Sequence, residues 1–224
     1  MCPLDTQNGV PQLGYRTLTG CPATAMAQIM KYWNYPEQGT GFKSYDHQTY
    51  GTLSANFGGT YYNWASMPNT VNSPNEAVAK LMYHSGVASE MNYGPTLSTS
   101  WVIENFMSGE IDNTCENAYK TYFGYDPDSM EGIIRTQQNG DAIIENYTDS
   151  EWINLMKDEL NNSRPIQYAG FGTGGGHTWV CDGYDNNDFF HMNWGWGGQS
   201  DGYFNLNSLN PNDLGTGGGT GGYI

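Results

Sequence analysis

The hydrophobic pattern of this 224-residue chain changes part-way along from a helical period to an extended one. Apolar side chains recur every three to four positions over residues 21–33, 74–88 and 150–160, which predicts three helices, with Ser150 as the N-cap of the last. Weaker helical patterns lie at 98–107 and 114–123. From residue 164 onward, four short aromatic and apolar segments are separated by Gly, Asn and Asp, which predicts antiparallel strands.

Helices followed by strands are typical of the α+β class. We expect a single domain over residues 1–224 with two lobes, helical over roughly 1–160 and formed by an antiparallel β-sheet over roughly 161–224. A cleft between two such lobes is a natural active site.

The charge balance excludes several classes of partner. The chain has 8 basic and 23 acidic residues, a net charge of −15, so it repels phosphate backbones and anionic lipid surfaces. No apolar run approaches the ~18 residues of a membrane span. The first residues lack a basic and an apolar region, so no signal peptide is visible. We expect neither nucleic-acid binding nor a membrane span.

One of the four cysteines has a distinctive position. None is part of a CxxC pair, which excludes zinc-ribbon and thioredoxin motifs, although one or two disulfides remain possible. Cys21 begins the predicted helix 21–33, where the N–H groups and the helix dipole favour a thiolate. The alternative is a small buried cysteine at a helix start. Cys2, Cys115 and Cys181 carry no such signal.

Of the four histidines, His177 has the most suggestive context. It follows three glycines and begins an apolar strand, so it could enter a cleft from a rigid sheet. The chain order Cys21, His177, Asn193 is that of papain-like peptidases. Metalloprotease, P-loop, GxSxG and Rossmann motifs do not occur, so we expect no metal or organic cofactor.

Four stretches of the chain resemble the streptopain family of bacterial papain-like cysteine peptidases. These stretches are TGCPATAMAQIMKYWNYP (19–36), GGHTWVCDGYD (175–185), FHMNWGWGGQSDGYFNLNSLNP (190–211) and LGTGGGTGG (214–222). The resemblance implies a cysteine endopeptidase acting on proteins or peptides. It makes Cys21 the nucleophile and His177 the general base and acid, with Asn193 and Trp194 orienting and shielding the imidazole.

The resemblance also implies substrate contacts. Gly175 and Gly176 would lie along the substrate backbone, and Ser98 and Thr99 would help to form the pocket for the P2 side chain. The glycine-rich stretch 214–222 resembles a mobile loop that gates the cleft.

Family members are secreted zymogens, often virulence factors, so the resemblance implies an extracellular or periplasmic location and an inhibitory N-terminal prodomain outside this chain. The family's oxyanion-hole Gln would lie upstream of residue 1, and a final strand beyond Ile224. Pro22 replaces a frequent Val, and 100–118 resembles an insertion. We therefore expect a trimmed or weakened enzyme.

Two other interpretations remain open. The chain could be a secreted glycan- or protein-binding module that uses Trp64, Trp101 and Trp196 as platforms. It could also be a peptidase-like domain without activity.

Overall fold

Both helices and antiparallel strands form in the computed structural model, which describes residues 1–8, 11, 14–104, 112–139, 142–172, 175–211 and 223. The predicted α+β class is confirmed. The chain divides into two compact units, Met1–Glu131 and Gly132–Ile224. The boundary precedes residue 160 because the last predicted helix packs on the strands that follow it.

The described residues of the first unit form three α-helices. They are α1 (Cys21–Trp33), α2 (Glu76–Ala88) and α3 (Cys115–Tyr122). Pro22 lies in the first turn of α1, where a missing N–H breaks no helical hydrogen bond. Asn34 ends α1 in a left-handed conformation with φ of 48°. Asparagine tolerates that conformation and is therefore a suitable residue to end a helix. The bounds predicted for α1, residues 21–33, are confirmed.

The helix predicted at 98–107 is wrong over its described residues. Thr99 forms an isolated antiparallel bridge with Asn92, and Trp101 forms a parallel bridge with Thr114. These pairings use backbone groups that a helix would need. Residues 105–107 lie outside the described part of the chain.

The core of the first unit lies between its helices and a hairpin of β1 (Phe42–His47) and β2 (Gly51–Asn56). The α1 and α2 helices pack on each other. Fully buried side chains from helix and loop fill the space between them, including Met26, Met30, Phe57, Leu81 and Phe123.

The second unit carries the predicted antiparallel sheet. Its strands are β5 (Ile166–Gly172), β6 (Gly175–Tyr184), β7 (Phe190–Asn193) and β8 (Gly202–Phe204), and they lie side by side in chain order. The sequence predicts the third of these strands over 189–197, but β7 ends four residues earlier, at Asn193, because the chain turns at Gly195, which has φ of 78°. A hairpin of β3 (Thr136–Asn139) and β4 (Ala142–Asn146) was not predicted.

Helix α4 (Asp149–Asn161) begins one residue earlier than predicted, with Thr148 rather than Ser150 as its N-cap. The Thr148 hydroxyl accepts a hydrogen bond from the Glu151 N–H, and the Glu151 carboxylate accepts one from the Thr148 N–H. This capping box satisfies two backbone donors at once, which Ser150 could not do. Trp152 and Met156 then face the core.

A separate apolar core fills the second unit, and its fully buried side chains come from β6, β7 and the residues after them. They include Trp179, Cys181, Phe190, Met192, Trp194, Leu209 and Tyr223. No helix in the described part of the chain is both long enough and apolar enough to cross a bilayer.

Candidate active site

Cys21 is the first residue of α1, as predicted, and its side chain is partly accessible. The residue before it must be glycine. Gly20 has φ of 89°, and a Cβ atom there would lie 2.8 Å from Met91 Sδ and 3.0 Å from the Ser98 carbonyl oxygen. The Gly20 carbonyl oxygen accepts hydrogen bonds from the N–H and the hydroxyl of Thr24. The backbone that presents the Cys21 thiol is therefore tightly held.

The other three cysteines are buried, and none of the four forms a disulfide. Burial raises the pKa of the Cys181 thiol to about 12. Cys181 is therefore inert as a nucleophile near neutral pH.

Ser98 and Thr99, the two residues predicted for the P2 pocket, differ in exposure. Ser98 is 2% exposed, and its hydroxyl donates to the Leu18 carbonyl oxygen at 2.8 Å and accepts from the Gly94 N–H at 3.0 Å. The bond to Leu18 therefore holds the segment that leads to Cys21. Thr99 is exposed. Their assignment to a substrate pocket stays a prediction.

His177 is held on β6 by a backbone carbonyl. Its Nε2 lies 2.9 Å from the carbonyl oxygen of Trp194. A carbonyl can only accept, so Nε2 carries the proton and, in the neutral ring, Nδ1 keeps a lone pair. The hydrogen bond thus selects one tautomer and fixes the orientation of the ring.

Aromatic rings surround the imidazole of His177. Trp179, Trp194 and Trp196 stack on it with ring centroids 5.7, 6.2 and 5.0 Å away, and Tyr223 lies at 5.5 Å. Only 6% of His177 is exposed. This burial lowers the pKa of His177, and the bond to Trp194 opposes the shift in part. At neutral pH, and without a thiolate beside it, the His177 imidazole is therefore neutral and can accept a proton.

Asn193 and Asp201 hold the two peptide groups on either side of Trp194. The Asn193 Oδ1 accepts from the Gly195 N–H at 3.0 Å. The Asp201 Oδ1 accepts from the Trp194 N–H at 2.9 Å. The Trp194 carbonyl oxygen that bonds to His177 and the Gly195 N–H that bonds to Asn193 belong to the same peptide group. The orienting and shielding roles assigned to Asn193 and Trp194 stay predictions.

Gly175 and Gly176 are exposed at the start of β6. In the β5–β6 register Gly176 is opposite Phe171, whose side chain is 68% exposed. A Cβ atom at residue 176 would lie 2.8 Å from the Phe171 ring. The absence of a side chain at Gly176 therefore leaves room for the Phe171 ring to lie over β6.

The sequence pattern did not indicate the Trp194 carbonyl, Asp201 or Phe171. A backbone acceptor leaves no trace in residue identity. Only the proximity of Asp201 to the glycine turn after Trp194 could have suggested it. The gating loop predicted at 214–222 lies outside the described residues. Within them, no group of three or more His, Cys, Asp or Glu could hold a metal ion.

The three tryptophans that a glycan- or protein-binding module would use as platforms differ in their exposure to solvent. Trp101 is 49% exposed. Trp64 is partly buried and donates to the Pro36 carbonyl oxygen, and Trp196 stacks on His177.

An α+β fold with a cysteine at a helix start and a carbonyl-bound histidine on a sheet is consistent with a cysteine peptidase. A model of the Peptidase C10 family matches residues 4–204. The chain therefore belongs to the Peptidase C10 family, and the predicted streptopain-family resemblance is confirmed.

Two curated relatives carry protease names. The chain is 37% identical to streptopain of Streptococcus pyogenes serotype M28 over 94% of its length and 51% of the relative. It is also 37% identical to the thiol protease/hemagglutinin PrtT of Porphyromonas gingivalis, over 99% of its length and 24% of the relative. The chain thus spans about half of streptopain and about a quarter of PrtT.

Two solved structures from Prevotella intermedia are also similar. The active wild-type interpain A cysteine protease matches with a TM-score of 0.74 and 32% identity, over 96% of this chain and 82% of that one. A prointerpain A fragment matches with a TM-score of 0.72 and 33% identity, over 96% of this chain and 62% of that one.

Proposed function

We propose that this chain is a cysteine endopeptidase in which Cys21 is the nucleophile and His177 the general base and acid. The observation that carries the proposal is the hydrogen bond from His177 Nε2 to the Trp194 carbonyl oxygen, in a chain that belongs to the Peptidase C10 family. This bond leaves Nδ1 as the ring atom that exchanges protons with the thiol and the substrate.

The reaction is acyl transfer in two stages. The Cys21 thiol gives its proton to His177, and the thiolate attacks the scissile carbonyl carbon. The tetrahedral oxyanion collapses to a thioester while His177 protonates the departing amine. A water molecule then gives a proton to His177 and attacks the thioester, which releases the acid and restores the thiol.

The start of α1 contributes to charge stabilisation. The dipole of α1 favours the thiolate at its first residue. The Cys21 backbone N–H is the oxyanion donor that we assign to this chain, because Pro22 has no N–H.

Substrate contacts follow the same assignment. The exposed Gly175 and Gly176 lie along the backbone of the bound peptide, and Thr99 contributes to the P2 pocket, with Ser98 supporting it from beneath. The exposed position of both glycines and of Thr99 supports these contacts.

We also propose that the whole protein is secreted and made with an N-terminal prodomain. The support is that streptopain is about twice as long as the matched region and that the prointerpain A fragment matches this fold.

The test compares Cys21→Ala with Cys115→Ala in hydrolysis of unfolded casein, with circular dichroism as the check on folding. We expect Cys21→Ala to lose all turnover and keep its spectrum, and Cys115→Ala to retain turnover. Iodoacetamide near pH 6 should alkylate Cys21 first, because the other thiols are buried. Full activity in Cys21→Ala, or binding of casein without cleavage by the wild type, would refute the proposal.

A further inference from the structure

We propose that Asp201 is a positioning residue for His177, acting through the backbone of Trp194. This inference rests on the peptidase function proposed above.

A continuous path of hydrogen bonds joins the two side chains. His177 Nε2 donates to the Trp194 carbonyl oxygen at 2.9 Å, and the Trp194 N–H donates to Asp201 Oδ1 at 2.9 Å. The atom that orients His177 and the atom that Asp201 holds therefore belong to one residue. A carboxylate acceptor makes a stronger hydrogen bond to a backbone N–H than a neutral acceptor does.

Hydrogen bonds hold the Trp194–Gly195 peptide group, whose carbonyl oxygen accepts from His177, and the peptide group before it. The Gly195 N–H donates to Asn193 Oδ1 at 3.0 Å. The N–H of the preceding Asn193–Trp194 peptide group donates to Asp201. The Trp194 carbonyl cannot rotate away from His177 without disturbing one of these two bonds.

Glycines allow Asp201 to return to Trp194, which is seven residues earlier in the chain. Gly197 and Gly198 have φ of 68° and 89°, a left-handed conformation that strains other residues. The turn over residues 194–201 thus brings the Asp201 carboxylate back to the Trp194 N–H.

Asp201 is partly buried and has both an acidic and a basic side chain near it. Burial raises the pKa of the Asp201 carboxyl, and the Trp194 N–H and nearby His191 oppose that shift, while Asp182 adds to it. His191 on β7 and Asp182 on β6 pair with each other, with Nδ1 and Oδ1 2.5 Å apart. Asp201 therefore keeps its bond to Trp194 in a partly desolvated site, where hydrogen bonds to ionised groups are strong.

The test uses Asp201→Ala and Asp201→Asn, with Asp185→Ala as a matched control. Asp185 also accepts backbone N–H bonds on this sheet, from Asn187 and Phe189, in the turn between β6 and β7. Its removal costs stability of the same kind without touching Trp194. Two readouts are needed: the pH profile of kcat/KM on a peptide substrate, and the ¹⁵N shifts of the His177 ring in labelled protein.

We expect Asp201→Ala to reduce kcat/KM by up to about 100-fold, as a misplaced catalytic group does. Its ¹⁵N shifts should show a mixture of Nδ1–H and Nε2–H tautomers. Asp201→Asn keeps an acceptor for the Trp194 N–H but loses the charge. It should retain the Nε2–H tautomer, recover most of the rate, and move the alkaline limb of the profile to lower pH, because the imidazolium is less stabilised.

The outcomes separate this inference from the proposed function. Ring shifts and pH profiles of both Asp201 variants that match those of Asp185→Ala would overturn the positioning assignment. A wild-type chain that cleaves nothing would overturn the peptidase function, and the ¹⁵N measurement would still decide whether Asp201 orients His177. If Asp201→Ala fails to fold, Asp201→Asn carries the same test through the alkaline limb.

Discussion

At the scale of single residues, the most constrained position beside Cys21 is Gly20. Two independent restraints act on it: a left-handed φ of 89° and a lack of space for a Cβ atom against Met91 and Ser98. Either would disfavour a side chain. Together they mean that the position of the thiol depends on a residue that takes no chemical part in the reaction.

We predict that Gly20→Ala lowers the free energy of unfolding by more than Gly41→Ala does. Gly41 also has a positive φ, of 73°, but nothing lies within 4 Å of its Cβ position, so that variant measures backbone strain alone, about 1–3 kcal/mol. The excess in Gly20→Ala measures the clash. Urea unfolding gives both values, and equal losses would show that Met91 moves aside at no cost.

At the scale of secondary-structure elements, hydrogen bonds determine where a helix begins, and residue type alone does not show which residue makes them. Thr148 and Ser150 are both good N-cap residues, but only Thr148 has a glutamate three positions later to complete a capping box. That spacing, rather than residue type, places the start of α4.

We predict that Thr148→Ala lowers the free energy of unfolding by about 1 kcal/mol, because the first turn of α4 loses its cap. Ser150→Ala should change it by less than about 0.5 kcal/mol, since alanine suits the interior of a helix. Thermal or urea melts of both variants check this. A larger effect at Ser150 would place the cap where the sequence pattern first suggested.

Helix α2 carries a buried histidine that makes the fold sensitive to acid. His84 is 8% exposed and its Nδ1 lies 3.0 Å from the Tyr62 hydroxyl. Burial lowers the pKa of His84 to about 4. Because this pKa lies below the unfolded value of 6.5, its protonation favours the unfolded chain. The free energy of unfolding is therefore not reduced by His84 above pH 6.5, and it declines as the pH falls from 6.5 toward 4.

We predict that lowering the pH from 7.5 to 5 costs the wild type about 2 kcal/mol more than it costs His84→Gln. Glutamine keeps a polar partner for Tyr62 and does not titrate in this range. Urea unfolding at the two pH values measures the difference. Equal losses in the two proteins would mean that His84 is not the acid-sensitive group.

At the scale of the whole molecule, the net charge of −15 acts on any charged partner before contact. Such a field attracts cationic substrates and repels anionic ones, and salt screens it over about 10 Å at 0.1 M. The proposed peptidase should therefore select among substrates partly by their charge.

We predict that kcat/KM for a lysine-rich peptide falls several-fold as NaCl is raised from about 10 to 150 mM, while that for a glutamate-substituted version of the peptide rises. The cleavage sequence is kept the same in both peptides, so that only long-range attraction differs. Identical salt responses for the two would show that the acidic surface does not steer substrate.

Residue patterns predicted the fold class, the bounds of α1 and the four strands of the main sheet, since those elements have clear periods and glycine boundaries. The β3–β4 hairpin escaped prediction because its first strand, TQQN, is polar throughout. The partner of His177 escaped because it is a main-chain carbonyl, which every residue possesses. Contacts of that kind are visible only once the chain is folded.

The cage of indole rings around His177 also has an optical consequence. Three tryptophans lie within 6.2 Å of an imidazole, ring centre to ring centre. A charged imidazolium quenches indole emission more strongly than a neutral ring does. The protein therefore contains its own fluorescent indicator of the ionisation of this histidine, which can be followed without attaching a dye.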